Sequence, residues 1–499
     1  MNEKFRSVIS HSSDDKVKIV YSWHGPKGPI WNTELPNILT FAAEAEGVNS
    51  HMESRNFWTD DVWQKQFSKA KDKYEMYPIQ SIEADDKRPF IYPFSMTWRV
   101  EFEKYFINYS GVLEFGHVPN WLIHLVQTGN GYILIDHSVE AFMSDRELEA
   151  MFSYFHEHHK IPMYKIIYLT GTVNATKVYN DWFEKNNIPD IKEHRMHVIP
   201  YASSREIFHM FYNTSHSENP ETPGYRKLIP SYDENVVPEK VFLSWNRRYR
   251  QHRILLALCL EQLNLVDKSL ISFAKIDGEN TSDTFAHQVK NLLETYEGNL
   301  NLYGNHNFHF DDDTIIPRFS DKLPLVIDGE TDINKMCEDW GHTKDYYNQT
   351  LISLVTETNY NAKECTLTEK SFKPLYNKHP FIIIGVAGAL QGLRDLGFRT
   401  FSDFWDESYD DEPLPGLRFE KIMNAIKLIA SWTPEQILDF RRRVKPILEH
   451  NYQMFSEPGS TLVVNNMYNH ITENFQPDWT NWCYPGQCYF EGARNNDNP

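Results

Sequence analysis

The first half of the chain alternates short apolar runs with amphipathic segments. Residues 16–23 alternate apolar and polar side chains, and this period of two predicts a strand. Further along, apolar runs predict buried strands at 121–126, 132–136, 165–172 and 195–202. Segments with helical character lie between them, at 144–158 and 175–185. Strands and helices in succession are typical of a parallel sheet in an α/β domain.

A second α/β pattern follows a stretch of different composition. Residues 203–238 are rich in proline and polar residues and hold few long apolar runs, which predicts a linker with a domain boundary near 235. Beyond it, apolar runs predict strands at 241–246, 353–357 and 381–384. Helices are predicted at 254–263, from Thr368 onward and at 433–452, where Pro434 suits the first helical position.

The length of the chain supports this division. A chain of 499 residues is long for one hydrophobic core, so two domains are expected. We predict an α/β protein with two Rossmann-like domains facing a cleft, and C-terminal helices that pack back. The predicted boundaries are 1–235 for the first domain, 236–432 for the second and 433–499 for the helical tail.

Composition and charge exclude several classes of protein. The formal charge of −19, from 50 basic and 69 acidic residues, repels polyphosphates and disfavours broad nonspecific binding to nucleic acids. No apolar stretch is long enough to span a membrane, and the first residues lack the apolar core of a secretory signal. Five scattered cysteines are consistent with a reducing compartment. We therefore predict a cytoplasmic protein.

Arginines cluster where the first strand of the second domain meets its helix. The strand ends at Asn246, and four arginines follow: Arg247, Arg248, Arg250 and Arg253. A helix N-terminus disfavours cations, so these side chains are poorly placed unless an anion binds them. Arginine forks match the oxygens of a phosphate group. A solvated helix start is the alternative interpretation.

A second charged helix start follows the strand that ends in Glu357. Thr368, Glu369 and Lys370 begin this helix, and Lys373 lies one turn further on. Free backbone N–H groups at a helix start, with lysines nearby, favour an anion such as a diphosphate. Glu369 could also accept hydrogen bonds from a ribose. Ordinary capping, with Thr368 as the N-cap and an acid beside it, is the alternative.

These two segments resemble parts of known glycosyltransferases. The stretch KVFLSWNRRYRQHRILLALCLEQLNLVDKSL resembles the opening of the nucleotide-binding domain in the α1,3-fucosyltransferase family, where a strand ends in Asn and an Arg follows before a helix. The stretch SLVTETNYNAKECTLTEKSFKPL resembles that family's later segment, in which T-E-K follows an acid after a short loop. The fuller pattern, TEKSFKPLYNKHPFIIIG followed by LGFRTFSDFWDESYD, is similar to GT-B glycosyltransferases of phages and marine microbes.

The resemblance implies a nucleotide-sugar site in the second domain. Glu369 would hold the ribose, and Lys370 with Arg250 or Arg253 would hold the diphosphate. The same predicted sugar-donor site includes Asn246, Arg247, Glu357 and Lys373. The sugar donor would be linked to GDP, UDP or CMP, and no metal ion or further cofactor is expected. If a phage encodes the protein, it would act in the cytoplasm of the host.

Three side chains of the first domain are candidates for the base that deprotonates the acceptor hydroxyl. Asp136 is the last residue of a predicted strand, and Glu140 lies four residues further on. His24 lies in the loop after the first strand. Acids at a helix start are an equally good interpretation of Asp136 and Glu140. The expected acceptor is a glycan or a small molecule.

Two rival hypotheses keep the same fold. In the first, the acceptor is a hydroxylated base of phage DNA, and in the second, the protein binds a nucleotide sugar without catalysis. Neither a Walker motif nor a dinucleotide-binding glycine motif occurs in the sequence, which argues against kinases and dehydrogenases.

Overall fold

Two compact units, each built on a parallel sheet, make up the described part of the chain. The computed structural model describes residues 16–21, 73–78, 89–95, 120–138, 143–202, 231–275, 285, 289, 314–327, 346–456 and 460–474. Unit 1 comprises Met1–Ser203 with Pro458–Pro499, and unit 2 comprises Ser204–Glu457.

Ten strands are described. Those of unit 1 are β1 (Val17–Tyr21), β2 (Tyr74–Pro78), β3 (Phe90–Ser95), β4 (Gly131–His137), β5 (Ile166–Thr170) and β6 (His197–Pro200). Those of unit 2 are β7 (Lys240–Ser244), β8 (Leu270–Ile271), β9 (Thr350–Thr356) and β10 (Phe381–Ile384). The predicted strands at 16–23, 132–136, 165–172, 195–202, 241–246, 353–357 and 381–384 are therefore confirmed, within a few residues at their ends.

The helices of the described residues are given in chain order. They are α1 (Asn120–Thr128), α2 (Asp145–Met151), α3 (Ala175–Lys185), α4 (Gln251–Gln262), α5 (Ile315–Ser320), α6 (Tyr346–Gln349), α7 (Glu369–Tyr376), α8 (Ala389–Asp395), α9 (Pro415–Ala430), α10 (Pro434–Ser456) and α11 (Ser460–Asn474). A π-helical turn, Phe152–His158, continues α2. None of these helices is both long and apolar enough to cross a membrane.

The sheet of unit 1 has six parallel strands in the order β2-β1-β3-β4-β5-β6. Helices cover both faces of this sheet, so that a central strand such as β5 is buried along its whole length. On one face, Ile133 and Ile135 pack with residues of α1, α2 and α3. On the other face, Tyr132 and Leu134 pack with residues of α11.

The sheet of unit 2 has four parallel strands in the order β10-β9-β7-β8. After β7 the chain adds β8 on one side and later places β9 on the other, so the strand order reverses between β7 and β9. In open parallel sheets, ligands bind outside the carboxyl ends of the strands at such a switch point. The two predicted anion-binding segments follow β7 and β9, and the topology therefore brings them to the same edge.

The prediction for 121–126 was wrong. This apolar run forms α1 rather than a strand, with Ile123, Leu125 and Val126 buried. An unbroken apolar run fits a buried helix as well as a buried strand, because it carries no period that distinguishes them.

The structure also divides the predicted helical tail between the two units. In α10, Phe455 packs on Phe372 and Tyr376 of α7, with ring centroids 6.5 and 5.7 Å apart, and so belongs to unit 2. In α11, Val463 and Met467 belong to the core of unit 1. The contacts separate the units at 203 and 457, whereas the sequence places boundaries at 235 and 432.

Candidate functional site

A pocket of about 400 Å³ lies at the carboxyl ends of β7 and β9. Its wall includes six cationic side chains: Arg247, Arg248, Arg250, Arg253, Lys370 and Lys373. Glu369 is a carboxylate on the same wall. The two segments that the sequence predicts to bind an anion therefore meet in one cavity, in a protein whose formal charge is −19.

The arginine segment joins the end of β7 to the start of α4. Arg250 occupies the N-cap position of α4 in an extended conformation and is exposed. Arg253, one turn into the helix, is buried and donates hydrogen bonds to the carbonyl oxygens of Arg248 (3.0 Å), Thr356 (3.2 Å) and Glu357 (3.3 Å). The Arg253 guanidinium thereby ties α4 to the end of β9, and it brings a positive charge to the pocket wall.

The first turn of α7 forms the facing part of the wall. The Thr368 hydroxyl caps the helix by accepting from the Lys370 backbone N–H at 3.4 Å. The Lys370 ammonium lies 2.7 Å from a Glu369 carboxylate oxygen. Burial alone would raise the pKa of Glu369, but the neighbouring Lys370 and Lys373 ammonium groups outweigh burial and hold this pKa below its usual value. Glu369 is therefore ionised at neutral pH and available as a hydrogen-bond acceptor.

Glu357 anchors the start of α7. Its buried carboxylate accepts from the Thr368 backbone N–H (3.0 Å), the Thr368 hydroxyl (2.7 Å), the Ser371 hydroxyl (2.6 Å) and the Thr358 backbone N–H (3.2 Å). A carboxylate with this many donors is well satisfied in a buried position. Through these hydrogen bonds, Glu357 holds in place the first turn of α7, which carries Glu369 and Lys370. Direct contact between Glu357 and a ligand stays a prediction.

His252 holds the backbone of Glu357 from the other side. Its Nε2 donates to the Glu357 carbonyl oxygen at 2.9 Å, and its ring stacks on Tyr360 with centroids 5.3 Å apart. Burial, together with the nearby Arg253, lowers the pKa of His252 to about 3, so the ring is neutral at physiological pH. A neutral ring with one N–H fits a single carbonyl acceptor.

Asn246 joins the strands beneath the pocket. Its side-chain amide donates to the Ser244 hydroxyl at 3.0 Å, and its side-chain oxygen accepts from the Thr356 hydroxyl at 2.7 Å. Its backbone N–H donates to the Ser272 hydroxyl at 2.9 Å. Asn246 therefore links the ends of β7, β8 and β9 and supports the pocket from within the fold. Its predicted contact with a sugar donor is untested.

At the start of another helix of unit 2, α8, backbone N–H groups have a hydrogen-bond acceptor within the chain. Asp410 accepts from the backbone N–H groups of Leu390 and Gln391, both at 2.8 Å, at the beginning of α8. The Arg394 guanidinium lies 3.8 Å from the same carboxylate. The start of α7 also has a carboxylate of the chain, Glu357, but Glu369, Lys370 and Lys373 of α7 line the cationic pocket, and the candidate anion site is therefore at α7.

The structure describes little of the candidate bases of the first domain. His24 and Glu140 lie outside them, and for Asp136 only the backbone, within β4, is described. The neighbouring His137 is buried, with Nδ1 2.8 Å from the Tyr168 hydroxyl, and burial lowers its pKa to about 4. The role of His24, Asp136 and Glu140 stays a prediction.

The aromatic part of the pocket is not predicted from the sequence. Trp245 and Tyr347 line it, together with strand residues such as Leu243 and Val355. The sequence feature that could have identified Trp245 is its position, directly between the last residue of β7 and Asn246.

Within the described residues, no group of three or more His, Cys, Asp or Glu side chains is arranged to hold a metal ion.

Comparisons with known proteins give distant likenesses. Neither a protein-family model nor a curated protein matches the chain. Among solved structures, it is similar to a UDP-forming α,α-trehalose-phosphate synthase from Burkholderia xenovorans, with 12% identity and a TM-score of 0.32 over 69% of this chain and 68% of that one. It is also similar to the N-terminal domain of trehalose-6-phosphate phosphatase from Candida albicans, with 10% identity and a TM-score of 0.37 over 91% of this chain and 97% of that one. At these TM-scores the likenesses are too remote to assign an activity to this chain.

Proposed function

We propose that the protein is a glycosyltransferase of the GT-B class and that the pocket of unit 2 binds its nucleotide-sugar donor. The observation that carries the proposal is the meeting of six cationic side chains and one carboxylate in a single pocket at the β7/β9 switch point. Grouping like charges this closely is unfavourable without a counter-ion. A nucleotide diphosphate supplies both the negative charge and the ribose hydroxyls that such a wall can bind.

The cationic wall suits the leaving group of a glycosyl transfer. In a direct displacement, the acceptor oxygen bonds to the anomeric carbon while the bond from that carbon to the diphosphate oxygen breaks. Negative charge then develops on the departing diphosphate, where fixed arginine and lysine side chains stabilise it. These side chains can perform that task by themselves, so we propose a displacement that needs no metal ion. Glu369 would accept hydrogen bonds from the ribose.

Unit 1 would bind the acceptor and supply the base that removes its hydroxyl proton. In the six-stranded sheet the chain order reverses between β1 and β3, so the carboxyl end of β1 borders the switch point of that sheet. His24 follows the last residue of β1, Tyr21, by three positions in the sequence. His24 therefore has topological support as the base, while Asp136 lies within β4, one strand further from that point, and Glu140 follows β4 in the sequence.

A thermal-shift screen tests the sugar-donor site. One class among GDP-, UDP- and CMP-sugars should stabilise the protein by about 2.7 kcal/mol at one hundred times its Kd, which raises the Tm of unit 2 by roughly 5–10 °C. Glu369→Ala and Lys370→Ala should each remove most of this shift, because both side chains lie on the pocket wall. Lys427→Ala, at an exposed position on α9, is the matched control and should keep the full shift.

The screen, followed by a transfer assay, also separates the proposal from a non-catalytic binding protein. No shift with any nucleotide sugar, or an unchanged shift in both Glu369→Ala and Lys370→Ala, would overturn the assignment of the pocket. A shift without transfer to glycans, small alcohols or hydroxymethylated DNA would favour the non-catalytic binding protein.

A further inference from the structure

Trp245 brings a large aromatic side chain to the pocket of unit 2. It directly follows Ser244, the last residue of β7, and it lines the same cavity as the arginines and lysines. Its indole is half-buried and packs against the cluster of Leu243, Tyr346 and Tyr347. Its ring meets the Tyr346 ring edge to face, with centroids 5.5 Å apart and an angle of 75° between the planes.

This packing makes Trp245 a rigid surface. An aromatic side chain has only two side-chain torsions, and the contact with Tyr346 restricts them further. A ligand that binds against a fixed ring loses less free energy to the ordering of protein side chains than one that binds a mobile side chain. Trp245 is therefore placed at the pocket as a preorganised contact surface.

The pocket wall divides into two chemical parts along the chain. The strands β7 and β9 contribute Leu243, Leu354 and Val355, and Trp245 extends this apolar part at the end of β7. The cationic part comes from the segments beyond the strand ends, at 247–253 and at 369–373. A free phosphate or pyrophosphate would use only the cationic part. A ligand that joins phosphates to a planar aromatic ring would use both.

We propose that Trp245 stacks on the nucleobase of the ligand and thereby makes the pocket select nucleotides over phosphate compounds that lack a base. This inference rests on the proposed function, since it assigns one part of the same ligand to one part of the same pocket. Stacking on an aromatic side chain is available to every base, because each base has a π face. Trp245 therefore sets the preference for a nucleotide, and the choice among bases belongs to other contacts.

Calorimetric titrations with UDP, GDP and inorganic pyrophosphate test the proposal. Trp245→Ala should weaken the better-binding nucleoside diphosphate by roughly 5- to 150-fold, the effect of removing one base–aromatic stack. The affinity for pyrophosphate should stay within about twofold, since pyrophosphate offers no ring. Trp245→Phe keeps a π face and should retain most of the affinity, while Trp245→Leu, which fills space without a π face, should lose it. Trp432→Ala, at a half-buried tryptophan between α9 and α10, is the matched control and should bind like the unaltered protein.

Each outcome has one interpretation. Equal weakening of nucleotide and pyrophosphate in both Trp245→Ala and Trp245→Leu would overturn the stacking role and show a general effect on the pocket. Unchanged nucleotide binding would overturn it as well. If neither nucleotide nor pyrophosphate binds the unaltered protein, the failure lies with the proposed function instead.

Discussion

Replacing Glu357 with alanine is expected to lower the free energy of unfolding of unit 2 by about 3 kcal/mol, because it leaves several buried or half-buried hydrogen-bond donors without their acceptor at once. The backbone N–H and hydroxyl of Thr368 and the hydroxyl of Ser371 all lose the carboxylate that accepts from them. For a unit of this size, the loss corresponds to a fall in Tm of roughly 6–12 °C, which calorimetry can measure.

Two further variants define the role of Glu357. Glu357→Gln keeps the shape but turns one acceptor oxygen into a donor, so about half of the destabilisation is expected. Glu239→Ala removes an exposed carboxylate of unit 2 and should change the stability by no more than about 0.5 kcal/mol. A Tm for Glu357→Ala equal to that of Glu239→Ala would show that the carboxylate does not anchor α7.

Reversing the charge of Lys373 is expected to abolish nucleotide binding. Lys373 is almost fully buried and lines the pocket on the same helix as Glu369. A carboxylate at this position would face both Glu369 and the phosphates of a ligand, and such like-charge contacts cost several kcal/mol in a partly buried site. Lys373→Glu should therefore weaken a nucleoside diphosphate by at least about 100-fold.

Two further variants are the controls for this experiment: one neutralises Lys373, and the other reverses a charge on α9. Lys373→Met removes the charge but keeps the length of the side chain, and about a tenfold loss is expected. Lys427→Glu reverses an exposed charge on α9 and should leave the affinity unchanged. Calorimetric titration gives all three affinities, and a melting curve for each variant verifies the fold. Nucleotide affinity in Lys373→Glu equal to that of the unaltered protein would exclude Lys373 from the binding site.

The parts of the fold that were predictable are those with a clear local pattern. The runs that became β5, β7 and β10 are apolar and bounded by polar or turn residues, and α3 has the expected amphipathic period. The helix α1 was missed because its apolar run carries no such period.

The candidate site was predictable as two halves. Charges placed against the dipole of a helix mark both 247–253 and 369–373 from sequence alone. That they share a pocket depends on the pairing of β7 with β9, in which Leu243 lies opposite Ser353. Strand order arises from packing between distant segments, so no local pattern predicts it. Trp245 was missed because a single aromatic residue at a strand end usually indicates core packing.

Titration of the unaltered protein with nucleosides and their nucleotides by isothermal calorimetry tests the central claim most directly. We expect one nucleotide among UDP, GDP and CMP to bind with one-to-one stoichiometry, more weakly as salt rises, because the cationic wall provides much of the attraction. The matching nucleoside, which lacks phosphate, should not bind measurably. The absence of binding by all three nucleotides, or equal binding of nucleoside and nucleotide, would contradict the assignment of this pocket as a nucleotide-sugar site.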